Sequence, residues 1–307
     1  MSPIESLLLT CGAVGILVIL GVIASVISVS ARHFFASSWS IAVYTWREGM
    51  RKKTLIGFLI LSILVIFGSS FMTAFLAQTT IGDLESDVDL KLIKDICVTA
   101  ISIFGVLITI FISASVVPNE IENKVIYTVL SKPVRRFGYL LGKFIGVQLI
   151  VIVNLALMGG LFFIALYFKQ RMWPTLLLWS ILLTYFQFLI VSAFTFAISC
   201  AASSAVLPTI AGLFIFITGN LTEYLKEVYN RGGQSGAWFD EAIRKLAYGL
   251  YQILPNLQNF SLKDEILYLQ VNDPPRDVMI PNLIAYGLLF ALAGYIVAYV
   301  VFWRREL

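Results

Sequence analysis

The residues that could do chemistry are few in this chain, and their spacing fits no catalytic motif. His33 is the only histidine, which excludes an HExxH zinc site and a Ser-His-Asp triad built with an intramembrane histidine. The three cysteines lie in separate apolar stretches without a CxxC pair: Cys11, Cys97 and Cys200. We therefore predict no catalytic residue and no metal site.

Four acidic residues alternate in the pattern of calcium ligands: Asp83, Glu85, Asp87 and Asp89. An EF-hand loop needs glycine at its sixth position and a bidentate glutamate at its twelfth. Val88 and Lys94 stand at those positions. We favour an ordinary solvated loop over a calcium site.

A phosphate-binding loop is incomplete as well. Gly138 and the pair Gly142 and Lys143 resemble its glycines and lysine, but the spacing is one residue short, and Phe144 replaces the required serine or threonine. No cofactor site is therefore predicted in this chain, and any ATP hydrolysis that drives it has to occur on another chain.

The composition is that of an integral membrane protein. Of 307 residues, 59% are hydrophobic and only 13% are charged, whereas charged residues make up about a quarter of a soluble domain. The mean hydropathy is +0.89. The net charge of +4 comes from basic residues beside long apolar runs, which favours retention on the cytoplasmic side over nucleic-acid binding.

Seven apolar stretches are long enough to cross a bilayer as helices. They cover residues 7–31, 54–77, 95–117, 140–168, 174–200, 204–220 and 281–303. We predict an all-α fold with a six-span core at 32–307 and an extra N-terminal anchor at 1–31. A cleaved signal peptide is the alternative for 1–31, but its apolar run is too long and no basic residue precedes it.

Basic residues concentrate after the first, third and last predicted spans, and the loop between the second and third spans is acidic. The positive-inside rule then places the N-terminus outside and the C-terminus in the cytoplasm. The long outer loop, 221–280, also carries basic residues, but loops of this length weigh little in the rule. Short helices are predicted in it at 221–229, 237–252 and 261–270.

Two amphipathic segments lie between the predicted spans. Residues 38–53 read as an interfacial helix on the inner leaflet, with a membrane-proximal linker as the alternative. Its marker residues are Trp39, Trp46, Arg47 and Arg51. Residues 118–138 combine charges of both signs with an apolar edge and are broken by Pro133, a pattern that suits docking into a partner, with an ordinary solvated loop as the alternative.

Uncharged polar residues occur inside the predicted spans, where no Asp, Glu, Lys or Arg sits mid-span. Ion-coupled transporters usually carry such charged relays, so this mechanism is disfavoured. The polar residues either line a pathway or hydrogen-bond between helices. The candidates are Gln148, Asn154, Thr184, Gln187 and Thr195.

Four stretches resemble the ABC-2 type transporter permeases, especially the branch of nitrous oxide reductase maturation and gliding-motility permeases. They are WSIAVYTWREGMRKKTL, NEIENKVIYTVLSKPVRRFGYLLGKFIG, AFTFAISCAASSAVLPTIAGLF and VFWRREL. Together they anchor the resemblance over residues 38–307. The anchor at 1–31 departs from the six-span pattern of that family.

The resemblance implies a permease subunit of an ATP-driven exporter in the bacterial plasma membrane. It implies a dimer of permeases, homomeric or heteromeric, with two ABC ATPase subunits that bind ATP and magnesium. The segment 118–138 would then couple to the ATPase through Glu120, Glu122, Lys124, Tyr127, Leu130, Lys132, Arg135 and Arg136. A non-transporting membrane scaffold with the same core is the alternative, and nothing in the sequence identifies a substrate.

Overall fold

The fold is a bundle of α-helices. The computed structural model describes residues 29–77, 85–123, 136–170, 175–222, 249, 255–261 and 280–305. The helices are α1 (Val29–Met50), α2 (Lys53–Ala77), α3 (Glu85–Glu122), α4 (Arg136–Gln170), α5 (Thr175–Ala201), α6 (Val206–Asn220) and α7 (Ile280–Trp303), with a 3₁₀ turn at Gln258–Phe260. No strand occurs in these ranges, so the all-α prediction is confirmed.

Most helix bounds follow the apolar runs of the sequence. Helices α2, α4, α5, α6 and α7 match predicted spans, and the largest difference is at the start of α4, Arg136 against residue 140. Four described helices are long and apolar enough to cross a membrane, and the bent pair α1 and α2 would make a fifth span. Helix α6 has 15 residues and is about 22 Å long, which is less than the hydrocarbon thickness.

Helix α3 extends beyond the predicted span of 95–117 at both ends. It has 38 residues, begins at Glu85 and runs through Pro118 to Glu122. The acidic residues from Glu85 onward therefore belong to a helix, so the predicted loop is wrong for them, while Asp83 lies outside the described residues. At the other end, the polar segment predicted to begin at residue 118 starts later, and Glu120 is helical.

Helix α1 also differs from the predicted bounds of 38–53. It begins at Val29 and ends at Met50, so residues 29–31 of the predicted anchor belong to the same helix. The rest of that anchor lies outside the described residues. A bend of 63° separates Phe35–Met50 from Lys53–Ser69. At the bend Lys52 donates from Nζ to Ser115 Oγ of α3 over 2.8 Å.

Small residues bring α1 and α4 into close contact. Ser38 lies beside Gly142, and Ala42 and Thr45 lie beside Gly146. A Cβ atom at Gly142 would come within 2.5 Å of the Ser38 carbonyl oxygen, so these backbones nearly touch. Because successive turns of both helices meet in the same order, α1 runs alongside α4 in the same direction.

Helix α5 is the centre of the bundle and packs against α3, α4, α6 and α7. Gly294 of α7 approaches Ala193 so closely that a Cβ would lie 2.9 Å from the alanine Cβ. Helices α2, α6 and α7 each expose an apolar face. These faces include Ile60, Leu64 and Phe67 on α2, Ile210 and Phe214 on α6, and Leu292, Ile296 and Val300 on α7.

Candidate functional site

A buried charged cluster joins α3 to α4 at the end of the bundle where the basic residues gather. The Glu120 side chain is 5% exposed and the Lys143 side chain 2% exposed. Lys143 donates to Oε1 of Glu120, and the Tyr139 hydroxyl donates to Oε2. Both carboxylate oxygens therefore have partners on α4, as a buried charge requires.

The cluster extends to the bend between α1 and α2. Lys52 lies close enough to Glu48, Glu120 and Lys143 to interact with them electrostatically. Lys143 Nζ also stands 5.4 Å from the ring centroid of Tyr44 on α1. Two carboxylates and two ammonium groups thus balance their charges at a place where four helices meet.

The partial phosphate-loop pattern of the sequence falls within this cluster. Gly142 and Lys143 lie inside α4, and the lysine is committed to Glu120, so the partial phosphate-loop pattern has no phosphate-binding geometry. Among the described residues, no group of three His, Cys, Asp or Glu side chains could hold a metal ion. Cys97 and Cys200 are buried free thiols.

Two arginines hydrogen-bond to neighbouring helix ends, at the end of the bundle that holds the charged cluster. Arg305 donates from Nη1 to the carbonyl oxygens of Cys200 and Ala202, each over 3.0 Å, and from Nη2 to Ser203 Oγ over 3.1 Å. Arg136 Nη1 lies 3.4 Å from the Trp303 carbonyl oxygen. The turn between α5 and α6, the start of α4 and the end of α7 are thereby held together.

The predicted coupling residues fall into three groups. Glu122 and Arg136 are exposed, as residues of a docking surface must be. Glu120, predicted as a coupling residue, is buried, and Tyr139 and Lys143 bind its carboxylate inside the protein. Outside the described residues lie Lys124, Tyr127, Leu130, Lys132 and Arg135. A coupling role for this set remains a prediction.

The four predicted interfacial residues do not share one environment. Trp39 is exposed, whereas Trp46 packs against the buried core. Trp46, Arg47, Met50 and Arg51 line one open surface groove near the end of α1. The placement of α1 at the inner leaflet stays a prediction.

Most of the predicted pathway residues hydrogen-bond within the bundle. Gln148 donates from Nε2 to Ser192 Oγ over 2.7 Å and so joins α4 to α5. Asn154 and Thr195 donate to carbonyl oxygens of their own helices. Thr184 and Gln187 also make hydrogen bonds, to Ser180 and Asn220, and in addition line a crevice between α3, α4 and α5.

The crevice encloses about 140 Å³ and lies in the half of the bundle away from Glu120. Six uncharged polar residues line it, and the remaining lining is apolar. The polar set is Thr99, Ser102, Ser180, Thr184, Gln187 and Ser261. Sequence reasoning missed Ser102 and Ser180, although residues 180, 184 and 187 share one helical face and residues 99 and 102 share another.

Ser261 reaches the crevice because the segment 255–261 is anchored to the helices. The Leu257 N–H donates to the Gly219 carbonyl oxygen over 3.1 Å, and the Asn256 N–H donates to the Tyr286 hydroxyl over 3.0 Å. Ser261 follows a 3₁₀ turn and has an extended backbone, which is the conformation of an N-cap residue. The helices predicted at 221–229, 237–252 and 261–270 lie almost wholly outside the described residues, so they stay predictions.

Several apolar spanning helices, a lipid-facing surface and an internal ion cluster define a multi-pass helical membrane protein. The family model described as "ABC-2 family transporter protein" matches residues 39–307. The chain belongs to this family and is a membrane permease component of an ABC transporter. A comparison with curated proteins returned no match.

Proposed function

We propose that this chain is the permease subunit of an ATP-driven exporter, coupled to an ATPase that is a separate chain. Two permease copies would work with two ATPase subunits, which bind ATP and magnesium. The segment at 118–138 would receive the movement of the ATPase. The complex would lie in the bacterial plasma membrane, with the N-terminus outside and the C-terminus in the cytoplasm. A place in the nitrous oxide reductase maturation and gliding-motility branch belongs to the same proposal.

The buried pair of Glu120 and Lys143 is the observation that supports this proposal. The pair links the last turn of α3 to the second turn of α4, and these two helices flank the predicted docking segment. A load applied to the segment would therefore move both helices together. Without the pair, the segment could shift while one helix stayed in place.

Several features of the same end of the bundle support a cytoplasmic location. Arg51, Lys52, Arg136, Arg304 and Arg305 all lie near this cluster or near the helix ends that it joins. Retention of lysine and arginine on the cytoplasmic side explains such an arrangement. The docking segment would then face the compartment that supplies ATP.

The test is the charge reversal Arg135→Glu together with Arg136→Glu. We expect it to weaken co-purification with a candidate ATPase, and to lower ATPase turnover in liposomes by about tenfold or more, because two charged contacts at the docking surface become repulsive. The matched control is Arg304→Glu, since Arg304 is an exposed arginine at the same end of the bundle.

An unchanged complex with unchanged turnover would contradict the docking role of the segment. Stable binding of the ATPase without any substrate-dependent turnover would instead favour a membrane scaffold built on the same core. The two outcomes are distinguished by measuring complex formation and hydrolysis in the same preparation.

A further inference from the structure

The crevice between α3, α4 and α5 contains hydroxyl groups that the protein does not use. Many described serines and threonines inside the helices donate to a carbonyl oxygen of their own helix, as Thr109, Ser113 and Thr184 do. Ser102 and Ser180 are among the exceptions, because neither hydroxyl has a hydrogen-bond partner among the described residues. Ser180 is only 6% exposed.

Both residues border the crevice, so their hydroxyls are available to hydrogen-bond to a molecule that occupies it. Gln187 adds an acceptor to the same wall. Its Nε2 donates to Asn220 Oδ1 over 3.1 Å, while its Oε1 accepts no hydrogen bond from the described part of the chain. The crevice therefore presents two free hydroxyls and one free amide oxygen.

The charge and shape of the crevice limit what could occupy it. None of the described residues that line it is charged, so an ionised head group would lose its hydration without gaining a counter-charge. Its volume of about 140 Å³ is close to that of engineered cavities that bind a benzene-sized molecule. The fitting group is therefore neutral, hydroxylated and about the size of glycerol.

The crevice opens toward the surface that meets lipid. Ile103, which lines it, is 47% exposed. On α5, Leu178 and Leu182 are exposed beside the lining residues Leu177 and Ile181. A hydrocarbon chain attached to the bound head could thus remain in the bilayer.

We propose that this crevice binds a neutral amphiphile whose glycerol-sized, hydroxylated head hydrogen-bonds to Ser102, Ser180 and Gln187. The ligand enters sideways from the bilayer. The site does not depend on ATP-driven export, and its occupancy is measured without nucleotide or ATPase.

The experiment measures equilibrium binding of radiolabelled 1-monooleoylglycerol to the full chain in nanodiscs. Unlabelled 1-monooleoylglycerol should displace the label with saturation. Methyl oleate, which lacks a hydroxyl donor, and oleate, which is charged, should displace it poorly. Absence of saturable binding, or equal displacement by methyl oleate, would overturn the proposal and leave a crevice that holds only water.

The double variant Ser102→Ala with Ser180→Ala should lower the affinity for 1-monooleoylglycerol roughly 5- to 30-fold, since it removes two hydrogen bonds. The matched control is Ser199→Ala, also on α5, because Ser199 donates to its own helix at Phe196. This control should keep the wild-type affinity. An equal loss in the control would contradict recognition by the crevice.

Cysteine protection gives a second readout that does not depend on the serine variants. In a chain without its native cysteines, Ile103→Cys should react with N-ethylmaleimide about threefold more slowly when 1-monooleoylglycerol is present. Leu178→Cys is the control, because Leu178 is exposed and does not line the crevice. Equal rates with and without the amphiphile at Ile103→Cys would overturn the proposal.

Discussion

Glu120 and Lys143 each carry a charge that is almost out of water. A buried ion pair is often no more stabilising than a pair of well-packed apolar residues, but removal of one partner leaves an uncompensated charge. Tyr139 and Lys143 satisfy both oxygens of the carboxylate. The pair therefore fixes the packing of α3 against α4. Loss of one charge alone should destabilise the protein more than loss of both charges together.

We expect Lys143→Met to destabilise the protein by about 3–5 kcal/mol, because it leaves the Glu120 carboxylate buried and unpaired. The double variant Glu120→Gln with Lys143→Met should recover much of this loss. The measurement is the apparent unfolding free energy of the purified chain in detergent micelles. If the double variant is as unstable as the single one, the pair is not the source of the effect.

The burial of Glu120 could not be predicted from the sequence. The sequence places Glu120 in the amphipathic segment 118–138, whose charged residues suit docking into a partner. The partner Lys143 is 23 positions away, and no periodic pattern connects the two residues. The free hydroxyls of Ser102 and Ser180 were equally hidden, because a serine inside an apolar helix usually bonds to its own backbone.

At the scale of elements, glycine decides where helices approach closely. Gly142 and Gly160 lie on the same helix, α4, but in different surroundings. A Cβ at Gly142 would meet the Ser38 carbonyl oxygen and the side chain of Ile41, whereas at Gly160 nothing lies within 4 Å. The two positions form a matched pair for testing the contact between α1 and α4.

Gly142→Ala should destabilise the chain by about 1–3 kcal/mol, because the new methyl group forces α1 away from α4. Gly160→Ala should be neutral or slightly stabilising, because alanine has the higher helix propensity and meets no neighbour. Both are measured as shifts in the apparent melting temperature of the purified protein. Similar shifts for the two variants would mean that the close contact contributes nothing.

Most helices could be predicted from the length of the apolar runs. These runs gave the bounds of α2 and of α4 to α7 to within a few residues. Their ends follow from polar flanks, and such flanks are visible in the sequence. The start of α1 is different. The sequence predicts an anchor that ends at residue 31, before Arg32, and a separate helix at 38–53, yet one helix runs from Val29 to Met50. Nothing in the sequence indicates the hydrogen bond from Lys52 to Ser115 that accompanies the bend.

At the scale of the whole molecule, the two ends of the bundle differ in charge. The end with Glu122 holds the basic clusters, and the end with the segment 255–261 is closed by contacts between apolar and aromatic residues, such as Phe260 against Tyr286. By the positive-inside rule, this difference in charge predicts that the basic end faces the cytoplasm. Cysteine labelling from either side of the membrane tests this orientation directly.

In a chain without its native cysteines, Glu122→Cys should react with a membrane-impermeant maleimide in inverted vesicles but not in intact cells. Gln258→Cys, at the opposite end of the bundle, should show the reverse pattern. Both positions are exposed in the fold. Labelling of Glu122→Cys from outside intact cells would invert the topology and remove the basis for docking to a cytoplasmic ATPase.

Arg304 and Arg305 are adjacent in the sequence but differ in their contacts in the folded protein. While the chain inserts, both positive charges oppose transfer of the last helix across the membrane. Once the bundle forms, Arg305 is bound to two carbonyl oxygens and a hydroxyl at the turn after α5, and Arg304 stays exposed. Arg305 therefore acts twice. During synthesis its charge helps to set the direction of α7, and in the folded protein its three hydrogen bonds would have to break before that helix could reverse.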